Sequence, residues 1–329
     1  MNLQELDSRL RTIAEHEEEY KSGNFTLSTN ILKKAMTNNE EVLQMHSDNI
    51  NIHSNKKHNM NILVKKHARF HKYPVHSHDC IELNYVYSGK CTQKINGKKI
   101  ELTKGQMLLV QQDTIHRIEP LSENDILIKI IIHNDYFKSH FFNRLSSNSI
   151  LTDFFFKSIT TGVIYKNFIL FNSEKSERLR IFINEFLCEW YDPSIVFEDI
   201  MGSLLTLIFS ELVNTHTIDL SNSDGSSENN IVKILDYIEK NYKNCTLKDT
   251  AEHFELNANY LSNMLKKNTG FSYKDLVQHQ KINAAKDLLL NSNLSTTEIA
   301  NKVGYENISF FYKKFKQYCF CLPGEYRNN

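Results

Sequence analysis

The sequence predicts an α+β multidomain protein: an N-terminal β-barrel with flanking helices, then an all-α C-terminal domain carrying two helix-turn-helix units. Three observations carry that prediction. Short β-rich runs crowd residues 62–133, amphipathic helical spacing takes over after Ser173, and one helical pattern occurs twice, about fifty residues apart. With 329 residues the chain is too long for one ordinary core and suits two domains with connecting helices. The predicted division is a helical, variable segment at 1–61, a barrel at 62–172, connecting or dimerisation helices at 173–219, a flexible linker at 220–230 and the helix-turn-helix domain at 231–329.

Composition agrees with a folded chain. Hydrophobic residues make up 40% and charged residues 24%, with few glycines and prolines, which excludes fibrous and disordered classes. The opening MNLQELDSRLR has no basic stretch followed by an apolar core. The longest apolar run, Leu204 to Val213, is interrupted by Thr206, Ser210 and Glu211. Neither a signal peptide nor a membrane span is expected, so the cytoplasm is the predicted location. Cys80, Cys91, Cys188, Cys245, Cys319 and Cys321 lack both zinc-ribbon spacing and the density of a disulfide scaffold, and read as reduced thiols.

Formal net charge is zero, but its distribution is uneven. From Asn229 onward fourteen Lys and Arg face ten Asp and Glu, so the front of the chain is acidic by the same margin. Lys266, Lys267, Lys313, Lys314 and Lys316 concentrate that surplus on two helices.

Along the chain, Leu3, Leu6, Leu10 and Ile13 predict a short amphipathic opening helix. Residues 23–61 show no sustained period and receive no assignment. Strands are expected at Ile81–Tyr87, Thr92–Ile95, Lys99–Leu102, Met107–Gln111 and Ile126–Ile132, with Asn96-Gly97 marking a two-residue hairpin. Two helical stripes follow. Leu179, Phe182, Ile183, Phe186, Leu187 and Trp190 form one, and Val196, Ile200, Leu204, Leu207, Ile208 and Leu212 the other. Either they cover the barrel or their surplus apolar surface pairs two copies into a homodimer. The small polar run from Leu220 to Asn230 reads as a linker.

In the C-terminal part, Ile231, Leu235 and Ile238 open a helix, Thr246 starts a second with Ala251, and Asn257 caps a third that buries Leu261, Met264 and Leu265. The third helix presents Asn259, Ser262, Asn263, Lys266 and Lys267, and Gly270 ends it. After a long helix from Tyr273 to Leu290, the pattern recurs. Ala300 stands where Ala251 did, Gly304 makes the turn, and a helix from Ile308 buries Ile308, Phe311 and Phe315 while presenting Ser309, Tyr312, Lys313 and Lys316. Two such helices suit successive major grooves about 34 Å apart, with the amides and hydroxyls reaching base edges and the lysines phosphates.

These residues resemble the AraC/XylS family of bacterial transcription regulators. The resemblance rests on Ala251, Tyr260-Leu261-Ser262, Lys266-Lys267, Thr269-Gly270, Glu298-Ile299-Ala300, Val303-Gly304-Tyr305, Ser309-Phe310-Phe311, Phe315-Lys316, Pro323 and Tyr326-Arg327. It implies binding to promoter DNA and, most often in this family, activation through RNA polymerase. Asn263, Leu265, Lys281, Phe320 and Leu322 depart from the family's usual Arg, Phe, Arg, Gly and Thr.

His76, His78 and Glu82 alternate in phase, and His116 follows Gly105. The spacing resembles the two short motifs of cupin barrels, in which three histidines and a glutamate converge on a metal, with Gln111 and Asp113 replacing a Pro and a Gly. Such a donor set suits Zn, Fe, Mn or Ni. The favoured expectation is instead a small-molecule pocket, with no cofactor, lined by Ile81, Leu83, Tyr85 and Leu109 and oriented by His76, His78, Glu82 and His116. The chain therefore reads as a ligand-controlled regulator and not an enzyme. A metal-dependent cupin enzyme with a DNA-binding appendage, and a regulator controlled by a protein partner, are the alternatives.

Overall fold

The computed structural model describes residues 1–23, 33–37, 40–45, 61–137, 167–222 and 227–327. Two compact units share the chain, the boundary after the barrel falling between His216 and Thr217.

The first unit opens with helices α1 (Leu3–Arg11) and α2 (Glu15–Ser22). Asn2 caps α1 in a capping box with Glu5, and Leu6 and Leu10 are buried as the spacing predicted. Eleven strands follow among the described residues: β1 (Lys33–Thr37), β2 (Glu40–Met45), β3 (Ile62–Lys66), β4 (His76–His78), β5 (Ile81–Ser88), β6 (Lys90–Ile95), β7 (Lys98–Thr103), β8 (Met107–Val110), β9 (His116–Ile118), β10 (Ile126–Ile132) and β11 (Phe168–Phe171). They form a six-stranded sheet in the order β1-β2-β4-β9-β6-β7 and a five-stranded sheet in the order β11-β8-β5-β10-β3. The five expected strands all form, within one or two residues of their predicted ends. Asn96 and Gly97 have φ of 47° and 80°, as the hairpin between β6 and β7 requires.

Two differences from the sequence expectation matter. Residues 33–45, left unassigned, contribute β1 and β2. Strand β2 joins the sheet through parallel pairing with β4, a long-range partner that leaves no local period. The run from His76 to Glu82 is also not one strand. A bend at Asp79-Cys80 sends β4 into one sheet and β5 into the other.

The space between the sheets has an apolar end and a polar end. Val86, Ile95, Leu102, Leu108, Val110, Ile118 and Leu127 belong to a buried cluster at one end, while the other end holds the histidines. Helices α3 (Glu177–Tyr191) and α4 (Phe197–Asn222) follow β11. In α3 Leu179, Ile183, Phe186 and Leu187 are buried as expected. In α4 the buried stripe is Phe197, Met201, Leu205, Ile208, Phe209 and Leu212, rotated from the predicted one. Val196 is 54% exposed and Leu207 41% exposed. A 26-residue helix rich in apolar side chains offers two overlapping stripes, and only packing selects between them.

The second unit contains α5 (Ser227–Asn241), α6 (Leu247–His253), α7 (Ala258–Thr269), α8 (Tyr273–Asn291), α9 (Thr296–Lys302), α10 (Ile308–Cys319) and α11 (Pro323–Arg327). The linker expected at 220–230 is narrower than predicted, because α4 runs to Asn222 and α5 starts at Ser227. Its polar composition misled the reading. Ser227 and Glu228 are residues that favour a helix start, and the apolar stripe of Ile231, Leu235 and Ile238 follows directly. The four residues between the helices lie outside the described ones.

Candidate nucleic-acid interface and effector cavity

The two helix-turn-helix units are built from the same local devices. Thr246 caps α6 in a capping box with Asp249, and Ser295 caps α9 with Glu298. Asn257 and Asn307 cap α7 and α10. The closing hydrogen bonds of the turns also match, Leu256 N–H to Ala251 O at 2.8 Å and Tyr305 N–H to Ala300 O at 2.9 Å. Ala251 and Ala300 are both buried, so a larger side chain at either position would push the crossing helices apart.

Residues 260–270 and 310–320 follow one order of burial, position by position. Leu261 and Leu265 correspond to Phe311 and Phe315, all fully buried. On the opposite face Asn259, Asn263, Lys266 and Lys267 are exposed on α7, as are Ser309, Lys313 and Lys316 on α10, while Ser262 and Tyr312 are half-buried. The predicted face is thus presented by both helices. Tyr260, 56% exposed, and Phe310, 40% exposed, flank it at matching positions; both carry the family resemblance but were not placed on this face from the sequence. The sequence signal was available, since both sit immediately before a buried anchor.

Helix α8 ties the units together. Tyr273 Oη lies 2.9 Å from Thr250 Oγ1 at its start, and Ile282, Ala285 and Leu289 enter the core of the second unit. Lys281 donates to Gly304 O at 2.6 Å, so this lysine holds the second turn in place. The first turn places Glu255 at φ 54°, where the second has Gly304 at φ 87°. A left-handed backbone costs a non-glycine residue roughly 1–2 kcal/mol. Glu255→Gly is therefore expected to raise the unfolding free energy of the helical unit by about 1 kcal/mol. Urea unfolding followed by circular dichroism checks it, and a lower midpoint would show that the Glu255 side chain contributes something its backbone conceals.

In the first unit the four residues expected at the pocket converge despite their split between sheets. His78 Nε2 lies 3.4 Å from Glu82 Oε2, His116 Nε2 lies 3.7 Å from Glu82 Oε1, and the His76 and His116 rings are 4.2 Å apart. Backbone carbonyls hold the other ring nitrogens, with Nδ1 of His76, His78 and His116 bonded to Pro74 O, Cys80 O and Thr114 O. A carbonyl only accepts, so each Nδ1 carries the proton and each Nε2 faces inward.

Tyr85 is placed differently. It shares the odd-numbered face of β5 with Ile81 and Leu83, opposite Glu82 and Asn84. That face meets helices: Tyr87 donates to Asp7 in α1 at 3.2 Å, and Tyr85 lies within the field of Arg180 and Glu177 in α3. Ile81, Leu83, Tyr85 and Leu109 therefore pack in the core and do not line the cavity. The expected lining is corrected by the two-residue period of the strand itself.

The cavity has a volume of about 470 Å³, within the range of small-molecule sites. His76, His78, Glu82, Lys65, Lys129 and Ile131 line the barrel side. His16 and Tyr20 on α2, with Met45, His67 and Tyr73, complete it. Lys129 was missed by sequence, although a single lysine inside the otherwise apolar strand Ile126–Ile132 was a signal. Its ammonium is 2.7 Å from Glu82 Oε2.

Burial would raise the Glu82 carboxyl, but Lys129, His116 and His78 overcome it and hold the group well below the usual carboxylate range. Burial lowers His76 and His116, keeping them neutral. For His78 burial acts downward as well, but the Cys80 carbonyl and the Glu82 carboxylate push it up to about 10. His78, Glu82 and His116 bring donor atoms within 4.8 Å of one another. One Glu82 oxygen is already engaged by the Lys129 ammonium, whose charge would repel a divalent ion held by this set.

Residues 62–132 match the family described as AraC-like ligand binding domain, and residues 250–329 match a helix-turn-helix domain family. The chain is 30% identical over 137 residues to the raffinose operon transcriptional regulatory protein RafR of Pediococcus pentosaceus, an alignment covering 41% of this chain and 50% of that protein. The match thus spans about half of that relative's length. It is 22% identical over 265 residues to the melibiose operon regulatory protein of Escherichia coli K12, covering 77% of this chain and 82% of that one. A crystal structure of apo ToxT from Vibrio cholerae aligns at 18% identity over 81% of this chain and 96% of its own, with a TM-score of 0.36.

Proposed function

Because the chain belongs to the AraC family of DNA-binding transcription regulators and carries an AraC-like ligand-binding domain, we propose that it binds promoter DNA through α7 and α10 under the control of a small molecule held in the N-terminal cavity. The matched exposure of the two helices, fifty positions apart, is the observation that supports this most directly. Asn259, Ser262, Asn263, Ser309 and Tyr312 reach base edges in successive major grooves, and Lys266, Lys267, Lys313 and Lys316 contact phosphates.

The raffinose and melibiose operon regulators among its relatives support an effector that is a carbohydrate or derived from one. A cavity walled by tyrosines, histidines and lysines suits a hydroxylated ligand and not a hydrocarbon. The same relatives are regulators, which supports a sensing site that does not consume its ligand. The exposed Leu207 on α4 and Val196 just before it support a homodimer, each copy contributing its α4. Activation through contact with RNA polymerase, in the cytoplasm, completes the reading. Among the described residues no helix is long and apolar enough to cross a membrane.

The test is the salt dependence of DNA binding by the full-length protein. Each lysine on a phosphate releases about one counterion, so Lys266→Ala with Lys316→Ala is expected to shallow the plot of log K against log salt by about two units per protomer. Fluorescence anisotropy on a duplex carrying the bound promoter segment reads it. An unchanged slope removes Lys266 and Lys316 from the phosphate contacts.

A further inference from the structure

We infer that the effector carries an acidic group, a carboxylate or a phosphate, which docks between Lys65 and Lys129. The inference rests on the reading of the cavity as the effector site and names the chemistry that site selects.

The antiparallel register of β3 and β10 sets Lys65 directly opposite Lys129, and both line the cavity. Like charges in directly opposed positions destabilise a sheet. Residues that break such a rule without a local gain mark a functional position. Among the described residues the ion pairs around the cavity leave cations in excess. Lys66 is matched by Glu17 at 3.0 Å and Lys129 by Glu82 at 2.7 Å. Lys65, exposed to solvent, has no acidic partner among the described residues, and the desolvation it does undergo, together with the Lys129 ammonium, pulls its pKa down. An oxyanion between the two ammoniums removes the repulsion and makes charge-assisted bonds to both.

One remaining polar atom indicates the rest of the ligand. Among the described residues the His67 Nε2 atom is buried without a hydrogen-bond partner, and His67 lines the cavity. A ligand with a hydroxyl group beside its acid satisfies it, whereas a hydrocarbon would leave it unpaired. A sugar acid or sugar phosphate has both features.

Calorimetric titration of the full-length protein with glucuronate, glucose 6-phosphate, glucose and melibiose at fixed ionic strength tests the inference, with inorganic phosphate as the bare anion. At least one acid is expected to bind ten times more tightly than either neutral sugar and to weaken as salt rises. The two sugar acids separate a carboxylate site from a phosphate site. Lys65→Gln is expected to weaken acid binding about ten- to a hundredfold, the usual effect of losing a bond to a charged group. Lys65→Arg should keep it. Because Lys65 is exposed and makes no ion pair among the described residues, the melting temperature of both variants should stay at the wild-type value, which separates lost binding from lost folding.

Neutral sugars binding as tightly as the acids would overturn the inference, as would wild-type affinity in Lys65→Gln or no acid binding at millimolar concentration. Promoter binding measured alongside tells the two readings apart. DNA binding that responds only to a neutral sugar leaves the regulator standing without its acidic effector, while failure to bind DNA removes the regulator reading itself.

Discussion

Replacing Phe311 with alanine is expected to cost about 3–5 kcal/mol, the usual penalty for emptying a buried aromatic site. Phe311 is fully buried in the second helix-turn-helix core. Its ring centroid lies 5.2 Å from that of Tyr305 and 5.7 Å from that of Phe315. A domain of this size holds about 5–15 kcal/mol in all, so the substitution removes a large share of its stability. The consequence for DNA is specific. Helix α10 keeps its exposed side chains but loses the anchor that fixes their orientation, so the protected region on DNA is expected to shrink from two grooves towards one. Urea unfolding and footprinting on the same variant check the two halves of the prediction. An unchanged footprint in a clearly destabilised variant would mean that α10 does not read DNA.

Glu17→Ala is expected to destabilise the N-terminal unit by about 3–5 kcal/mol, because it strands a buried guanidinium. Arg69 is 2% exposed. It donates to both Glu17 oxygens, at 3.0 and 2.9 Å, and to the carbonyls of Thr12 and Glu123. The cluster fastens α2 to the barrel, and α2 carries His16 and Tyr20 into the cavity wall. Loss of the fastening should therefore weaken effector binding as well.

The pH dependence has a definite sign. Burial would raise the Glu17 carboxyl, but Arg69, the N–H groups of Ala14 and Arg69, and Lys66 hold it far below its ordinary 4.5. A depressed carboxylate stabilises fully above its unfolded pKa and loses that contribution as pH falls towards the folded value. The melting curves of wild type and Glu17→Ala should stand apart near neutrality and converge below about pH 4. A gap that stays constant into acid would assign the destabilisation to lost packing and not to charge.

The helix-turn-helix half was legible to most of its side chains, although Met264 and Ile308, expected in the buried stripes, are half-buried. Its information is local: a cap at Asn257, a buried stripe at Leu261 and Leu265 and the same order again from Asn307 state which face turns inward, and the remaining face is exposed by subtraction. The barrel half was legible as strands but not as a cavity. Reading His76 to Glu82 as one strand brought the right four residues together for an incorrect reason, and the same reading placed Tyr85 on the wrong face.

By itself, then, the amino-acid sequence determined the two-domain order, the hairpin at Asn96-Gly97, the repeated helix-turn-helix and the side chains each recognition helix presents. Tertiary structure alone decided which of two apolar stripes on α4 is buried, and that β2 pairs with β4. It alone set Lys65 opposite Lys129, and Arg69 on Glu17. The physical reason is the range of the interactions. Periodicity and caps arise from contacts within about one helical turn or one strand, which a sequence displays directly. A cavity and its ion pairs arise from residues tens of positions apart, whose meeting depends on register and sheet order that no local pattern encodes.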